Sequence, residues 1–164
     1  MSSTSLELLQ AMPLFGAIRD DTLGFLLARA NDVAVARDEY FFRENDQGSS
    51  MFVLETGRVA VFKSWVDQVR QLAVLERGDC FGEMALVEMV ARSASVQALD
   101  DCAAIELPID SLHELYQHDL EQFAIIQMNM SREISRRLRK ADDRLFQVQM
   151  QSGPGDAGEQ FYWG

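Results

Sequence analysis

Hydrophobic and polar positions along the chain fall into three regimes. In TSLELLQAMPLF, Thr4 to Phe15, Leu6, Leu9 and Met12 recur at helical spacing, with Ser and Thr ahead of them as N-cap residues. Pro13 ends or bends that helix. RDDTLGFLLARAN repeats the period: Asp20 or Asp21 opens a second helix, Leu23, Phe25, Leu26 and Leu27 form its apolar side, and Asn31 lies past its end. From about Asp32 to Leu107 the period shortens to two. MFVLETGRVAVFK reads as two strands broken at Glu55, Thr56 and Gly57, with Gly57 free to take positive φ. VRQLAVLERGD is a strand ending in a Gly-Asp turn, and SASVQALDDCAAIELP is a strand, an Asp-Asp turn and a strand stopped by Pro108. Short strands with frequent turns predict an all-β barrel or jelly roll, mainly β with helices at both ends.

The helical period then returns. PIDSLHELYQHD starts on Pro108 and Asp110. The following stretch, from Leu120, runs over thirty residues without Gly or Pro. Phe123, Ile126, Met130, Ile134, Leu138, Ala141, Leu145 and Val148 form a seam along it at spacings of three and four. The expected organisation is one domain over 1–151, with N-terminal helices over 6–31, a barrel over 32–108, C-terminal helices over 109–151 and a flexible tail over 152–164. Thirty helical residues extend about 45 Å, more than one small barrel covers, so the seam predicts a homodimer.

Composition narrows the function. The chain has 164 residues, 48% of them hydrophobic, enough for a single-domain core. A net charge of -11 opposes a nucleic-acid-binding face and adhesion to an anionic membrane. The basic run SREISRRLRKADDR does not change this, because Arg132, Arg136, Arg137, Arg139 and Lys140 spread around a helix among acids, as on a solvated flank. The N-terminus has no basic region followed by an apolar run, and no apolar run approaches a membrane span. Cys80 and Cys102 have no metal or redox spacing and read as buried thiols of a cytoplasmic protein. His113 and His118 both fall in the helical region, so neither a metal cluster nor a nucleophile–base pair is evident, and no enzyme is expected.

The candidate chemistry lies in FGEMALVEMVARSASV, Phe81 to Val96. Gly82 before a short helical turn presents free backbone N–H groups to an anion. Arg92 adds a permanent forked charge that matches two phosphate oxygens. Ser93 adds a hydroxyl donor, and Ala94 leaves its own N–H open to approach. Glu83 can accept from a sugar hydroxyl and balance Arg92 when the site is empty. Together these describe a pocket for a singly charged phosphate joined to a ribose.

This pattern resembles the phosphate-binding cassette of cyclic nucleotide-binding domains. That fold is shared by the regulatory subunits of cyclic-AMP-dependent protein kinase, the cyclic-nucleotide-gated channels and the bacterial catabolite activator protein. The cassette, Phe-Gly-Glu-x-Ala-Leu, a spacer, then Arg, a small residue and Ala, is intact from Phe81 to Ala94. MPLFGAI, MFVLETGRVAVF and LERGDCFGE are similar to other family segments, so the resemblance spans roughly Leu6 to Val148. It implies that Arg92 pairs with the cyclic phosphate and that Glu83 takes the ribose 2′-hydroxyl. Backbone N–H groups around Gly82, Met84, Ala85 and Ala94, with the Ser93 hydroxyl, complete the cradle. Val61, Leu72 and Leu75 stand either at the base region or in ordinary barrel core.

The resemblance also has departures. Asn45 and Asp38 stand where the family commonly has Gly, and Asn tolerates the left-handed conformation. On the long helix, Ala141 and Asp142 replace a Thr-Ser pair that holds adenine. Asp142 is either an acceptor for the adenine amino group or the guanine N1–H edge, or a solvated carboxylate. The expected ligand is cyclic AMP first and cyclic GMP second, with no metal. About a dozen residues follow the long helix, too few for a helix-turn-helix module, so a stand-alone sensor acting through an unknown protein effector is expected, without DNA. The alternative is a dimeric scaffold of the same fold that binds no nucleotide.

Overall fold

The computed structural model describes residues 3–66, 68–84 and 91–151. Helix α1 (Ser3–Gln10), a 3-10 turn (Pro13–Phe15) and α2 (Asp20–Leu27) come first. Eight strands follow: β1 (Asn31–Val35), β2 (Tyr40–Phe42), β3 (Ser50–Thr56), β4 (Val59–Trp65), β5 (Gln68–Leu75), β6 (Cys80–Phe81), β7 (Ser95–Ala98) and β8 (Cys102–Pro108). Helices α3 (Ile109–His118) and α4 (Leu120–Gln151) complete the described chain. The strands form two four-stranded antiparallel sheets, ordered β1-β8-β3-β6 and β2-β7-β4-β5, in a jelly roll. The expected fold class holds. Asn31 opens β1 rather than trailing α2, and Pro108 ends β8 while serving as the N-cap of α3. The tail over 152–164 lies outside the described residues.

The two-residue period of β3 explains why there are two cores. Met51 and Val53 point to one side, where Leu9, Leu23, Leu26, Ile105, Leu115 and Ile126 pack between sheet and helices. Phe52 and Leu54 point to the other, into the barrel with Val59, Phe81, Val96 and Ala104. β3 is therefore buried on both faces along most of its length, which its unbroken apolar run requires.

The apolar seam of α4 divides. Ile126 and Met130 are fully buried against the helical core, and Phe123 and Ile134 pack on it. Polar ties fix this half: Asn129 Nδ2 donates to the carbonyls of Leu14 (3.1 Å) and Gly16 (2.8 Å), and the Arg19 amide donates to Gln122 Oε1 at 2.8 Å. Beyond Arg137 every residue of the helix to Gln151 is exposed. There Leu138, Leu145, Phe146 and Val148 are all more than half exposed. No helix among the described residues is long and apolar enough to cross a membrane.

Candidate functional site

At the mouth of the barrel lies a cavity of about 440 Å³, within the range of small-ligand sites. Among its polar lining residues Arg92 is buried, only 6% exposed. The β3–β6 pairing of Phe52 with Phe81 brings the carbonyls of Ser50 and Gly82 together. Arg92 Nη1 donates to both, at 2.8 and 3.1 Å. Arg92 Nη2 lies 3.4 Å from Ser50 Oγ, whose own hydroxyl donates to Glu106 Oε1 at 2.7 Å. The guanidinium sits flat on the barrel core, 4.1 Å from the centre of the Phe42 ring. Its Nε has no hydrogen-bond partner, and no carboxylate forms an ion pair with it among the described residues. Burial pulls the Arg92 pKa below the ordinary arginine value, with Glu106, Asp46 and Glu83 pulling it back; the group remains a cation.

Two backbone devices hold Arg92 in place. Gly82 takes φ of +77°, and a Cβ there would stand 2.5 Å from Arg92 Nη1. Asn45 takes φ of +73°, as its type allows, and its turn clamps the Arg92 backbone: the Asn45 amide donates to the Arg92 carbonyl, and the Arg92 amide to the Asp46 carbonyl, both at 2.8 Å. Asp38 is likewise left-handed, at φ +68°.

Glu83 does not balance Arg92. It is buried, and its Oε1 is paired with Arg137 Nη1 of α4. Arg137 Nη2 reaches the Cys80 carbonyl at 3.4 Å, and Arg137 Nε lies 3.5 Å from Glu133 Oε1. Arg137 thus belongs to the site, although its basic stretch reads as a solvated flank. Its place in the cavity lining and its contact with Glu83, across 54 residues of chain, reveal this. The neighbouring Cys80 thiol is pushed up to about 12, first by burial and then by the charge of Glu83.

The remaining candidate residues are placed as follows. Gly82, Glu83, Met84, Arg92, Ser93 and Ala94 all line the cavity. Ser93 is exposed there, with its hydroxyl 3.8 Å from Met84 Sδ. Val61, Leu72 and Leu75 form part of the apolar wall; Val61 and Leu75 also pack on the barrel core, while Leu72 is half exposed. Ala85, with most of the helical turn expected after Gly82, lies outside the described residues. Asp142 is exposed and is not among the lining residues. Ser50 and Phe42 had no signal of their own in the sequence, yet both hold Arg92; Lys140, read with its basic stretch as a solvated flank, is exposed and lines the cavity. Among the described residues, no three His, Cys, Asp or Glu side chains converge as metal ligands.

A family model for the cyclic nucleotide-binding domain matches residues 32–119. The cyclic AMP receptor protein of Thermus thermophilus is 27% identical over 135 residues, 82% of this chain and 61% of the relative. Human cGMP-dependent protein kinase 2 is 36% identical over 70 residues, 42% of this chain and 9% of the kinase. The chain therefore spans less than two thirds of the length of either relative. The crystal structure of a cyclic nucleotide-binding domain from Methylobacillus flagellatus superposes with a TM-score of 0.79 at 24% identity, covering 96% of this chain and 85% of that one, a likeness of fold. The family model covers more than half of the chain and the fold extends the likeness to nearly all of it: the chain belongs to the cyclic nucleotide-binding domain family.

Proposed function

We propose that the cavity takes a 3′,5′-cyclic purine nucleotide and that the chain works as a sensor module in the cytoplasm, without catalysis of its own. The observation that carries this reading is Arg92: a buried cation with an open donor, Nε, and no carboxylate in an ion pair with it among the described residues. A singly charged phosphate at that fork supplies both the missing acceptor and the missing charge. Ser93 and the amides of Met84 and Ala94 are assigned to the same anion. Glu83 accepts from the ribose hydroxyl and, in doing so, shares or releases Arg137. Val61, Leu72 and Leu75 face the purine.

The output runs through α4. A ligand that engages Glu83 changes what Arg137 holds, and it shifts α4 by its differential affinity for the two arrangements. The exposed apolar side chains of Leu138, Leu145 and Phe146 form the surface through which a second copy or a protein effector reads the change. A net charge of -11 supports a protein partner rather than DNA or an anionic membrane.

The test is isothermal titration calorimetry with cyclic AMP and cyclic GMP, using protein unfolded and refolded to strip carried-over ligand, beside Arg92→Ala. Saturable heat that disappears in the variant is the expected result. No heat with either nucleotide sinks the sensor reading and leaves a scaffold. Sedimentation equilibrium on the same samples is expected to show a dimer; a monomer at all concentrations removes the second copy from the reading.

A further inference from the structure

We propose that Lys140 reads the base and turns this pocket toward cyclic GMP, an inference that rests on the nucleotide reading above. One stripe of α4 reaches the cavity: Glu133, Arg137 and Lys140, four and three residues apart. The first two are already engaged, Glu133 with Arg136 and Arg137, and Arg137 with Glu83. The Lys140 ammonium makes no hydrogen bond or ion pair with any described residue. It lies one helical turn past the residue that meets Glu83, about 4.5 Å further along the axis. It is therefore the free polar group that α4 adds to the cavity beyond the sugar end.

Its chemistry selects between purines. An ammonium offers three donors and no acceptor. Guanine presents two adjacent acceptors, N7 and O6, whereas adenine presents N7 beside an amino donor. A donor-only group gains both guanine acceptors and meets a like dipole on adenine. The apolar wall of Val61, Leu72 and Leu75 makes no such distinction. Asp142 stands outside the cavity lining, so no carboxylate on this stripe beyond Arg137 offsets the preference. The order implied by family resemblance, cyclic AMP first, is thereby reversed.

The test is calorimetric titration of the full chain with cyclic GMP, cyclic IMP and cyclic AMP, in wild type, Lys140→Ala and Lys140→Glu. Cyclic IMP keeps O6 and lacks the 2-amino group, so it isolates the proposed contact. Wild type is expected to bind cyclic GMP and cyclic IMP about tenfold more tightly than cyclic AMP. Lys140→Ala is expected to remove that ratio, and Lys140→Glu to invert it, since a carboxylate accepts from the adenine amino group. Lys140 is exposed, so both variants fold, which far-UV circular dichroism checks. Equal weakening of all three ligands, an unmoved ratio, or a wild type that prefers cyclic AMP overturns the assignment. Binding that Arg92→Ala abolishes, with a ratio that Lys140→Ala does not move, overturns this inference alone. Silence from wild type with all three ligands overturns the nucleotide reading as well.

Discussion

Replacing Gly82 with Ala tests whether the cassette is built around the Arg92 guanidinium. A left-handed backbone costs an L-residue about 1–2 kcal/mol wherever it occurs. Gly78, at φ +90°, isolates that cost, because the nearest atom to a Cβ there is Leu8 Cδ1 at 3.9 Å. At Gly82 the new Cβ would stand 2.5 Å from Arg92 Nη1, 3.4 Å from Arg92 Cζ and 3.3 Å from the Ser50 carbonyl oxygen. The guanidinium has to retreat by about 1 Å, which pulls Nη1 off the carbonyls of Ser50 and Gly82. Hydrogen bonds to a charged group contribute about 1.5–3 kcal/mol each, and the side chain recovers part of this by re-pairing nearer the cavity mouth. Gly82→Ala is therefore expected to destabilise by about 3–5 kcal/mol, roughly 2–3 more than Gly78→Ala. Urea unfolding followed by far-UV circular dichroism reads the difference as a lower midpoint at constant slope. Equal losses for the two variants would refute the reasoning, since the guanidinium would then have space that the geometry denies it.

Two further outcomes follow from the same neighbourhood. In a double-mutant cycle of Glu83→Gln and Arg137→Ala, the coupling in urea unfolding should be about 1–2 kcal/mol, above an exposed pair and below a fully buried one, because the two side chains are 6% and 43% exposed; a coupling near zero would show a solvated pair. The Cys80 thiol, raised by burial from 9.0 to about 12, favours the folded state while protonated. Its contribution to stability is intact below pH 9 and falls as pH rises toward 12, and iodoacetamide at pH 9 should modify native protein far more slowly than urea-unfolded protein; matching rates would refute the burial.

Elements with strictly local signals were legible in the sequence. Alternation and turn residues mark β3, β4, β7 and β8, and Asn45 could take its left-handed turn because its side-chain type allows it. Ala17 and Val66 also have positive φ, at 63° and 53°, and neither residue type announces it. In the site, Arg92 stood out by chemistry, but its partners did not. They are two backbone carbonyls, one hydroxyl and an aromatic face, and backbone carbonyls carry no sequence signal. The exchange of partners at Glu83 has the same cause. Which arginine meets it depends on the path of α4 over the barrel, and Arg132, Arg136, Arg137 and Arg139 look alike until that path is known.

The exposed C-terminal length of α4 has a mechanical consequence. Gln151 lies 14 residues past Arg137, so this length of helix is about 21 Å long. A tilt of about 10° at the Arg137 anchor carries the helix tip sideways through about 4 Å, roughly two thirds of the rise of one helical turn. Under the proposed coupling the pivot lies at the cavity rim, and a change too small to see at the carboxylate becomes, at the far end, a sideways shift of about 4 Å against a facing helix.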